Sequence, residues 1–516
     1  MLPLVKSLPK VYSRISGLFA ELTFCLAART KKQQRVTPEL NLMSPHEDAK
    51  VADDDASPYL SRGDVADLVS QGRYVFLFDG CVLDVTAFAH HHPGGELVLR
   101  HAIGTDATDL ITGYHPKSII HGKLQRYVIG TLCETSAEKS HRLITVLPDG
   151  RSLAKHDAIS QSYLQLGNML ETAGMFKPVP WGYLQDIIRC FAAFSCSILI
   201  IAFYPATWVS TLVAALLLAI FWHQAAFIAH DLGHCGVSHS NSRDFAVGIL
   251  LADLLGGLSL GWWKSNHNVH HVVTNSPEHD PDIQHLPFFA VSERFFKIGG
   301  LYSSYKRRFL PWNIVSRWLV SHQHYLYYVL MMFGRFNLYI ESWRYLLFDP
   351  SVRWRRFEIS CMSAFVLWYS FLLTFLPSWS LRVLFIVVSH MATFLLHVQI
   401  TLSHFAMPTE DYGPEEAFPL RQLRTSMDVK CPWWMDWIHG GLQFQVSHHL
   451  FPRLPKHRLR QATELIIKPW AIDHWHATWV EVGFVEGNVM VLQRLASLAR
   501  QAWMHQFEDD RPDSQN

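Results

Sequence analysis

Thirty histidines occur in this chain of 516 residues, and those spaced to bind a metal fall into four groups. One group is a histidine followed by Pro-Gly-Gly, with a second histidine 23 positions later (His92 and His115). Three groups carry polar side chains three or four positions apart, which project from one side of a helix: His230 and His234; His267, His270 and His271; Gln445, His448 and His449. Neutral imidazole binds iron, zinc and copper, so the pattern predicts metal chemistry.

The His92 group has the composition of a haem-binding loop. Pro93 and the two glycines that follow let the chain turn closely against a porphyrin. Two axial histidines occupy both open positions of a haem iron, which then carries one electron at a time. We therefore expect His92 and His115 to hold a haem, and His90, His91 and His101 to be solvent-facing neighbours and not ligands.

The other three clusters predict a two-iron centre. A single pair of histidines on an apolar helix is weak evidence of a metal site, because such histidines are usually packed or solvated. Three such clusters in one chain are strong evidence of one. Electrons arriving from a fused haem make redox-inert zinc a poor choice, so we expect iron that activates O2. Cys235 stands beside His234, but a thiolate next to iron–oxygen chemistry would be oxidised, and we do not expect it to be a ligand.

The composition indicates a soluble part joined to a membrane part. Apolar residues make up 49% of the chain and charged residues only 17%. The net charge of +1 gives no case for nucleic-acid binding. The eight cysteines are scattered without a C-x-x-C pair, so we expect reduced thiols in a protein that faces the cytosol.

Four apolar segments have the length of membrane spans, for which about 20 residues are needed. They form two pairs joined by very short loops, which predicts two hairpins: residues 187–204 with 208–229, and 359–376 with 381–401. The apolar stretch 245–263 contains Asp253 and several glycines, so we expect it to lie in the membrane interface or to dip partway in.

The short loops carry no Lys or Arg, whereas the opposite flanks do: Lys264, Arg307, Arg308, Arg353, Arg355 and Arg356. The positive-inside rule then places both termini and the long middle segment in the cytosol. All three histidine clusters fall on this same side.

The domain organisation predicted from these features has five parts. Residues 1–57 form a basic then acidic extension and linker, 58–133 the haem domain, 134–180 a linker, 181–480 the membrane domain, and 481–516 a C-terminal helix and polar tail. Residues 1–42 surround an apolar stretch without a clean signal-peptidase site. We expect an amphipathic or disordered extension, or a true start at Met43.

Residues 60–132 resemble cytochrome b5. The matching features are a hairpin at 74–85 turning at Asp79-Gly80, the His92-Pro-Gly-Gly loop, Gly104-Thr-Asp-Ala-Thr-Asp, Tyr114-His115-Pro116 and the closing stretch 127–132. Before them, the residues themselves predict a helix at 65–71 with Ser61 as its cap. The resemblance implies an α+β domain in which His92 and His115 are the axial ligands of haem b. Leu110 stands where these domains often have an aromatic residue.

Residues 58–470 resemble the membrane fatty-acyl desaturase and hydroxylase superfamily. Two features match the front-end desaturases: the fused cytochrome b5 unit, and Gln445 as the first residue of the third histidine cluster. The stretches 258–271, 274–283, 427–429 and 439–455 are most similar to fungal-type sphingolipid Δ8-desaturases. The resemblance implies a mainly α-helical integral membrane domain with four spans and a cytosolic diiron cap.

The family also implies eight histidine ligands and a supporting glutamine. Seven of the eight are the histidines of the three clusters, and we assign the eighth to His404 at the cytosolic end of the fourth span. His397, seven positions earlier, is the competitor. Asp231, Asp280 and Asp282 could hold ring N–H groups of ligands, while His239, His279 and His285 are expected to be structural or supporting residues.

The resemblance implies an enzyme of the endoplasmic reticulum membrane. NADH would supply electrons through cytochrome b5 reductase to the haem, and the diiron centre would use O2 to remove two hydrogens from C8 and C9 of a ceramide-type long-chain base. Three alternatives stay open. A front-end acyl-lipid (Δ5/Δ6-type) desaturase would share every ligand. A hydroxylase would usually have histidine in place of Gln445, and a membrane-anchored electron carrier would need only His92 and His115.

Overall fold

A computed structural model of the chain describes residues 58–134, 156–297, 299–413 and 416–509. The predicted extension at 1–57 and the polar end of the C-terminal tail lie outside the described residues. The seven cysteines within these ranges are free thiols.

The first part of the described chain is a four-stranded sheet with helices on it. Strands β1 (Tyr59–Leu60), β2 (Val75–Phe78), β3 (Cys81–Asp84) and β4 (Val128–Leu132) lie in the order β1-β4-β3-β2. The predicted hairpin is confirmed, because Phe78 pairs with Cys81. Asp79 and Gly80 both have positive φ, 48° and 74°, the turn geometry that matches the twist of paired strands.

Three α-helices complete this domain: α1 (Arg62–Ser70), α2 (Glu96–Arg100) and α3 (Thr108–Tyr114). The predicted cap of α1 is confirmed, since the Ser61 hydroxyl accepts a hydrogen bond from the Asp64 N–H. Shorter helical turns cover Thr86–His91, Ile119–Lys123 and Leu124–Tyr127. Successive strand residues face opposite sides: Val75 and Leu77 belong to one small core, Phe76 and Phe78 to another that adjoins the His92 loop.

Four helical segments are long and apolar enough to cross a membrane, where four were expected: α5 (Pro180–Phe203), α6 (Trp208–Gly233), α12 (Arg355–Leu373) and the stretch Trp379–Phe405. The fourth is broken into α13 (Trp379–Met391) and α14 (Phe394–Phe405). Large apolar side chains on the outer faces are exposed, for example Leu367 at 71% and Phe371 at 60%. Such continuous apolar surface is expected where helices contact lipid.

The apolar stretch 245–263 is not one helix. Helix α7 (Asn241–Ile249) continues into a wide turn at Leu250–Leu254, and α8 (Leu260–Val272) starts afresh. Between them Gly257 has a φ of 72°, a conformation that favours glycine. None of these pieces is among the four candidate spans within the described residues.

The start of α8 is held by buried oxygens from three segments. Ser259 caps the helix by accepting from the Trp262 N–H, Asp253 accepts from the Leu260 N–H, and Glu358 of α12 accepts from the Gly261 N–H. The first N–H groups of a helix have no partner inside it. These contacts therefore anchor the helix that carries the second histidine cluster to a membrane span.

The remaining elements surround the histidine clusters. Helix α4 (His156–Thr172), which falls in the predicted linker, is packed into the structure: Tyr163 is buried and stacks on Phe451 at 4.9 Å. The others are α9 (Ile314–Ser321), α10 (Gln323–Met332), α11 (Gly334–Phe348), α15 (Phe418–Thr425), α16 (Asp436–His439), α17 (Gln445–Leu450), α18 (Lys456–Ala462), α19 (Lys468–Trp475), α20 (Phe484–Asp509), the hairpin β5 (Gly300–Ser303) with β6 (Arg308–Pro311), and the parallel pair β7 (Asp428–Lys430) with β8 (Glu481–Gly483).

Candidate metal centres

Four helices bring the predicted histidines to one place. Helix α6 ends with His230 and His234, α8 carries the second cluster, α14 presents His404 in its last turn, and α17 carries the third cluster. Seven of these eight histidines are buried, and the side chain of His230 is 13% exposed.

The chain reverses sharply before α17. Gly440 and Gly441 have φ of 59° and 97°, which residues with a side chain rarely adopt. Asp428 of β7 then accepts a hydrogen bond from the Val446 N–H at 3.0 Å. The reversal and this bond direct Gln445, His448 and His449 towards the ends of α6 and α8.

The ring nitrogens converge in two groups. In the first group, one ring nitrogen of each histidine lies within 4.8 Å of those of the others: His230, His234, His267 and His448. In the second group, the ring nitrogens of three histidines lie within the same distance of one another: His270, His404 and His449.

The eighth histidine lies between the two groups. The Nε2 atom of His271 is 3.1 Å from Nε2 of both His267 and His448, and its ring stacks on His449 at 4.2 Å. Nitrogen atoms bound to one metal at about 2.0–2.1 Å approach each other this closely.

Several polar atoms of the cluster lack a protein partner. His230 Nε2, His234 Nε2, His271 Nδ1 and Gln445 Oε1 are buried without a hydrogen bond among the described residues. Buried polar atoms in proteins are nearly always paired, so unpaired ones call for an ion or water. The donor set and its geometry therefore fit two metal ions.

Carboxylates hold the far side of three rings. Asp280 lies 2.8 Å from His270 Nδ1, Asp282 lies 3.2 Å from His267 Nδ1, and Asp231 lies 3.4 Å from His230 Nδ1. These are the three aspartates that the sequence suggested for this task. Each contact directs the opposite ring nitrogen into the cluster.

Two further ring partners were missed by the sequence reasoning. The Gln422 Oε1 atom of α15 is 2.9 Å from His449 Nδ1, and the backbone carbonyl of Thr425 is 3.1 Å from His404 Nδ1. Gln422 also donates to the His271 carbonyl at 3.2 Å. No spacing rule connects α15 to these histidines, since the contacts arise from packing between distant segments.

The electrostatics favour uncharged rings. Burial lowers the pKa of His267 to about 4 and lowers the pKa of His234, His271, His448 and His449 well below the usual value. These five rings are therefore neutral at pH 7, the form that binds a metal, whereas at His270 burial is outweighed by Asp280 and Asp282, which raise its pKa.

The two carboxylates beside α8 are shifted in opposite directions. Burial raises the pKa of Asp280. Burial also opposes ionisation of Asp282, but the neighbouring His270 and His267 lower its pKa below the usual value. One firmly ionised carboxylate thus stands beside the predicted metal ligands.

The competitor His397 lies apart from the two groups. Its ring packs against Gly334, and its Nε2 is buried without a partner among the described residues. His404, in contrast, is 4.6 Å from the ring of His270 and 3.2 Å from the Gln445 amide nitrogen. The geometry favours His404 as the eighth ligand, which remains a prediction.

Three other histidines make contacts beside the cluster, as expected of supporting residues. His239 contacts the carbonyls of Cys235 and Phe176, His279 contacts the Ser304 hydroxyl, and His285 contacts the Asp282 carbonyl. Cys235 is not part of either group, and its Sγ lies 3.4 Å from Asn241 Oδ1.

His92 and His115 face each other in the first domain. Their ring centroids are 6.1 Å apart, so His92 and His115 would fit as the two histidines that hold one haem iron. His92 Nδ1 contacts the Gly95 carbonyl at 3.0 Å and His115 Nδ1 the Ile111 carbonyl at 3.1 Å, leaving both Nε2 atoms for a metal. Burial lowers the pKa of His115 to about 4.

The neighbouring histidines behave differently from one another. His90 and His91 are exposed, and His90 pairs with Glu96. His101 is not the solvent-facing residue that we expected, because its ring packs 5.1 Å from the ring of His279.

The chain matches two family models. The model described as Fatty acid desaturase matches residues 206–480, and the model described as Cytochrome b5-like Heme/Steroid binding domain matches residues 61–133. The first contains all of the clustered histidines, and the second contains His92 and His115.

Several named proteins are similar to the chain over most of its length. It is 36% identical to a Delta 8-(E)-sphingolipid desaturase of Emericella nidulans, a similarity that covers 86% of this chain and 94% of that protein. A protein of the same description from Kluyveromyces lactis is 35% identical, covering 86% and 93%. An Acyl-lipid (9-3)-desaturase of Borago officinalis is 31% identical, covering 86% and 94%. The chain therefore belongs to the fatty acid desaturase family and carries a fused cytochrome b5-like domain.

Proposed function

We propose that the protein is a sphingolipid Δ8-desaturase that introduces a C8–C9 double bond of E geometry into the long-chain base of a ceramide-type lipid. The cluster of eight histidines beside a bis-histidine haem domain carries the proposal, because it joins an electron carrier to a site for O2 chemistry. The substrate and the E geometry rest on the relatives from Emericella nidulans and Kluyveromyces lactis.

The proposal assigns each metal a set of ligands. His230, His234, His267 and His448 would hold one iron, His270, His404 and His449 the other, and His271 would stand at both, with Gln445 in support. When bound, the iron pair supplies the O2 activation that removes two hydrogens from adjacent carbons. His92 and His115 would hold haem b, which supplies electrons one at a time.

The surrounding side chains would position the substrate and exclude water. A small cavity adjoins His267, His270 and His404, and its other walls are formed by Asp282, Ile283, Ile400, Thr401, Phe405 and Gln445. The cavity of about 20 Å³ has room for one small molecule only, so the apolar side chains of Ile283, Ile400 and Phe405 would have to move apart to admit a hydrocarbon chain. Holding one C–C bond beside the metals is the positioning task that the protein must perform.

The proposal also includes a location and a source of electrons. The short loops without Lys or Arg and the basic flanks on the other side support a cytosolic histidine cluster and haem domain. An endoplasmic reticulum membrane would give the haem access to NADH through cytochrome b5 reductase, with O2 as the oxidant.

The test is expression in a host that lacks Δ8 activity, followed by mass spectrometry of hydrolysed sphingoid bases and fatty acids. We expect a base two hydrogens lighter, with fragmentation that locates the double bond between C8 and C9. His448→Ala should abolish this product while the haem spectrum persists. His474→Ala is the matched control, because His474 lies exposed on α19.

Two other outcomes would replace the proposal. Unchanged bases together with a new polyunsaturated fatty acid would identify an acyl-lipid front-end desaturase, the function named for the relative from Borago officinalis. If the His448→Ala variant gave as much of the desaturated base as the wild type, the protein would be a membrane-anchored electron carrier that serves another oxidase.

A further inference from the structure

The haem domain lies directly against the histidine cluster. Tyr114 immediately precedes the haem-ligand candidate His115, and its ring meets the ring of His271 edge-on, with centroids 6.1 Å apart and planes at 88°. Consecutive Cα atoms are about 3.8 Å apart. The Tyr114 side chain therefore lies between His115, a candidate haem ligand, and His271, a candidate iron ligand.

A second contact joins the same two sites. The Asn268 side chain donates a hydrogen bond from Nδ2 to the Gly94 carbonyl at 3.1 Å. Asn268 lies between His267 and His270 on α8, while Gly94 is two residues after His92. A Cβ at Gly94 would lie 2.9 Å from the His92 ring, so the glycine leaves room for that ring beside the Asn268 contact.

The packing around these contacts is tight. Tyr163 of α4 donates from its hydroxyl to the Leu450 carbonyl, next to the third histidine cluster, at 2.5 Å. A Cβ on Gly113 of α3 would lie 2.5 Å from that hydroxyl and 3.1 Å from the Leu450 carbonyl. Ser160 of α4 also donates to Asp109 of α3 at 2.8 Å. The docked position thus depends on the absence of a side chain at Gly113.

We propose that Tyr114 and Asn268 couple the haem domain to the iron centre of the same chain, with the Tyr114 ring as the bridge for electrons and Asn268 as the residue that holds the two sites in register. This inference rests on the proposed function, since it requires the haem and iron assigned there. In each transfer the haem is oxidised by one electron and one ferric ion of the centre is reduced by one. No bond forms or breaks.

The surroundings of the Tyr114 hydroxyl indicate how the ring acts. The hydroxyl is buried and has no hydrogen-bond partner among the described residues, so no group is placed to accept a phenolic proton. Oxidation of the phenol to a neutral radical would require such an acceptor. The aromatic ring, and not the hydroxyl, is therefore the part that bridges the two sites.

The experiment follows reoxidation of the haem in purified full-length protein loaded with haem and iron. The haem is reduced without oxygen, mixed rapidly with O2 and ceramide, and followed by its absorbance. Tyr114→Leu removes the ring and should slow reoxidation roughly tenfold or more, since small losses of positioning are costly in rate. Tyr114→Phe keeps the ring and should restore the rate.

Two further variants test the docking contacts. Asn268→Asp keeps the shape but cannot donate to Gly94; the loss of one hydrogen bond of about 1 kcal/mol corresponds to roughly fivefold weaker docking. Gly113→Ala places a methyl group against Tyr163 and Leu450, and should slow reoxidation as well. Gly122→Ala, where a Cβ meets nothing within 4 Å, is the matched control in the same domain.

Haem absorbance, iron content and the rate of haem reduction by an external reductase are measured for every variant. Loss of the reoxidation rate with these three properties intact supports the proposal. A wild-type rate in Tyr114→Leu, with haem and iron bound, would overturn the role of the ring as the bridge, and a wild-type rate in Asn268→Asp would overturn the role of Asn268. A wild-type protein that binds no haem or no iron would instead refute the proposed function, and the electron bridge with it.

Discussion

Replacement of Asp280 by asparagine tests whether the histidine cluster holds metal through oriented rings. The Asp280 side chain is fully buried and contacts three groups: His270 Nδ1 at 2.8 Å, the Asn275 N–H at 2.7 Å and the Asp282 N–H at 2.8 Å. Asp280→Asn preserves the shape but replaces one acceptor oxygen by a donor NH2 group. At least one of the three donors then loses its acceptor.

The size of the effect follows from these contacts. A hydrogen bond contributes about 0.5–1.5 kcal/mol net, and a buried donor that loses its acceptor costs about 1–3 kcal/mol, while about 1.4 kcal/mol changes a binding constant tenfold. We therefore expect iron to bind roughly 10- to 100-fold more weakly, which is the usual effect of removing the partner of a ligating histidine. An unpaired backbone N–H would cost a further ~1–3 kcal/mol of folding stability.

The assay measures iron retained per haem after equilibration with increasing concentrations of an iron chelator. Asp280→Asn should lose iron at roughly 10- to 100-fold lower chelator strength than the wild-type protein. Asp473→Asn is the matched control, because Asp473 is exposed on α19. If folded Asp280→Asn retains iron like the wild type at every chelator concentration, the argument that Asp280 orients His270 for metal binding is wrong.

Three further predictions concern the eighth ligand, the interface and the cluster helix. His404→Ala should reduce the iron bound per haem, whereas His397→Ala should leave it unchanged; equal losses would contradict the assignment. Burial raises the pKa of Asp109 to about 7, Ser160 opposes the shift and Asp106 adds to it, while Tyr163 also faces the carboxyl. The Asp109 carboxyl therefore binds its proton more tightly in the folded state than in the unfolded state. The free energy of unfolding that this proton adds is lost as the pH rises from about 4 to 7. Asp109→Asn should flatten that dependence in thermal unfolding followed by haem absorbance, and exposed Asp67→Asn should not. Gly233→Ala would push a methyl group into the Trp263 ring and should lower the iron content through a displaced α6 terminus; unchanged iron content would show that this end can shift freely.

The features predicted correctly from the sequence are those that neighbouring residues specify. Helical spacing places His230 with His234, and Asp79-Gly80 and Ser61 specify a turn and a cap through their own backbone and side-chain chemistry. The spans were predicted slightly short at most of their ends. The polar residues at those ends, such as Arg355 and His404, lower the hydropathy, although the helical hydrogen bonds continue through them.

The features missed from the sequence depend on contacts between distant segments. The fourth span is broken at residues 392–393, where no Pro or Gly indicates a helix end. The contact between the rings of His101 and His279 joins two domains. The hydrogen bonds of Gln422 and of the Thr425 carbonyl to cluster histidines exist only because α15 packs there. Spacing along the chain contains no information on such pairs.

The sequence by itself determined the ingredients of this protein: two kinds of histidine site, four apolar spans and the turns of the haem domain. Each of these is encoded within a few residues or one helix length, where spacing, capping and hydropathy act directly. Only the tertiary structure decided how the ingredients meet, with His271 between two groups of rings and Tyr114 against it. Those positions follow from the packing of α3, α8 and α17, since close-packed interiors allow few alternative arrangements.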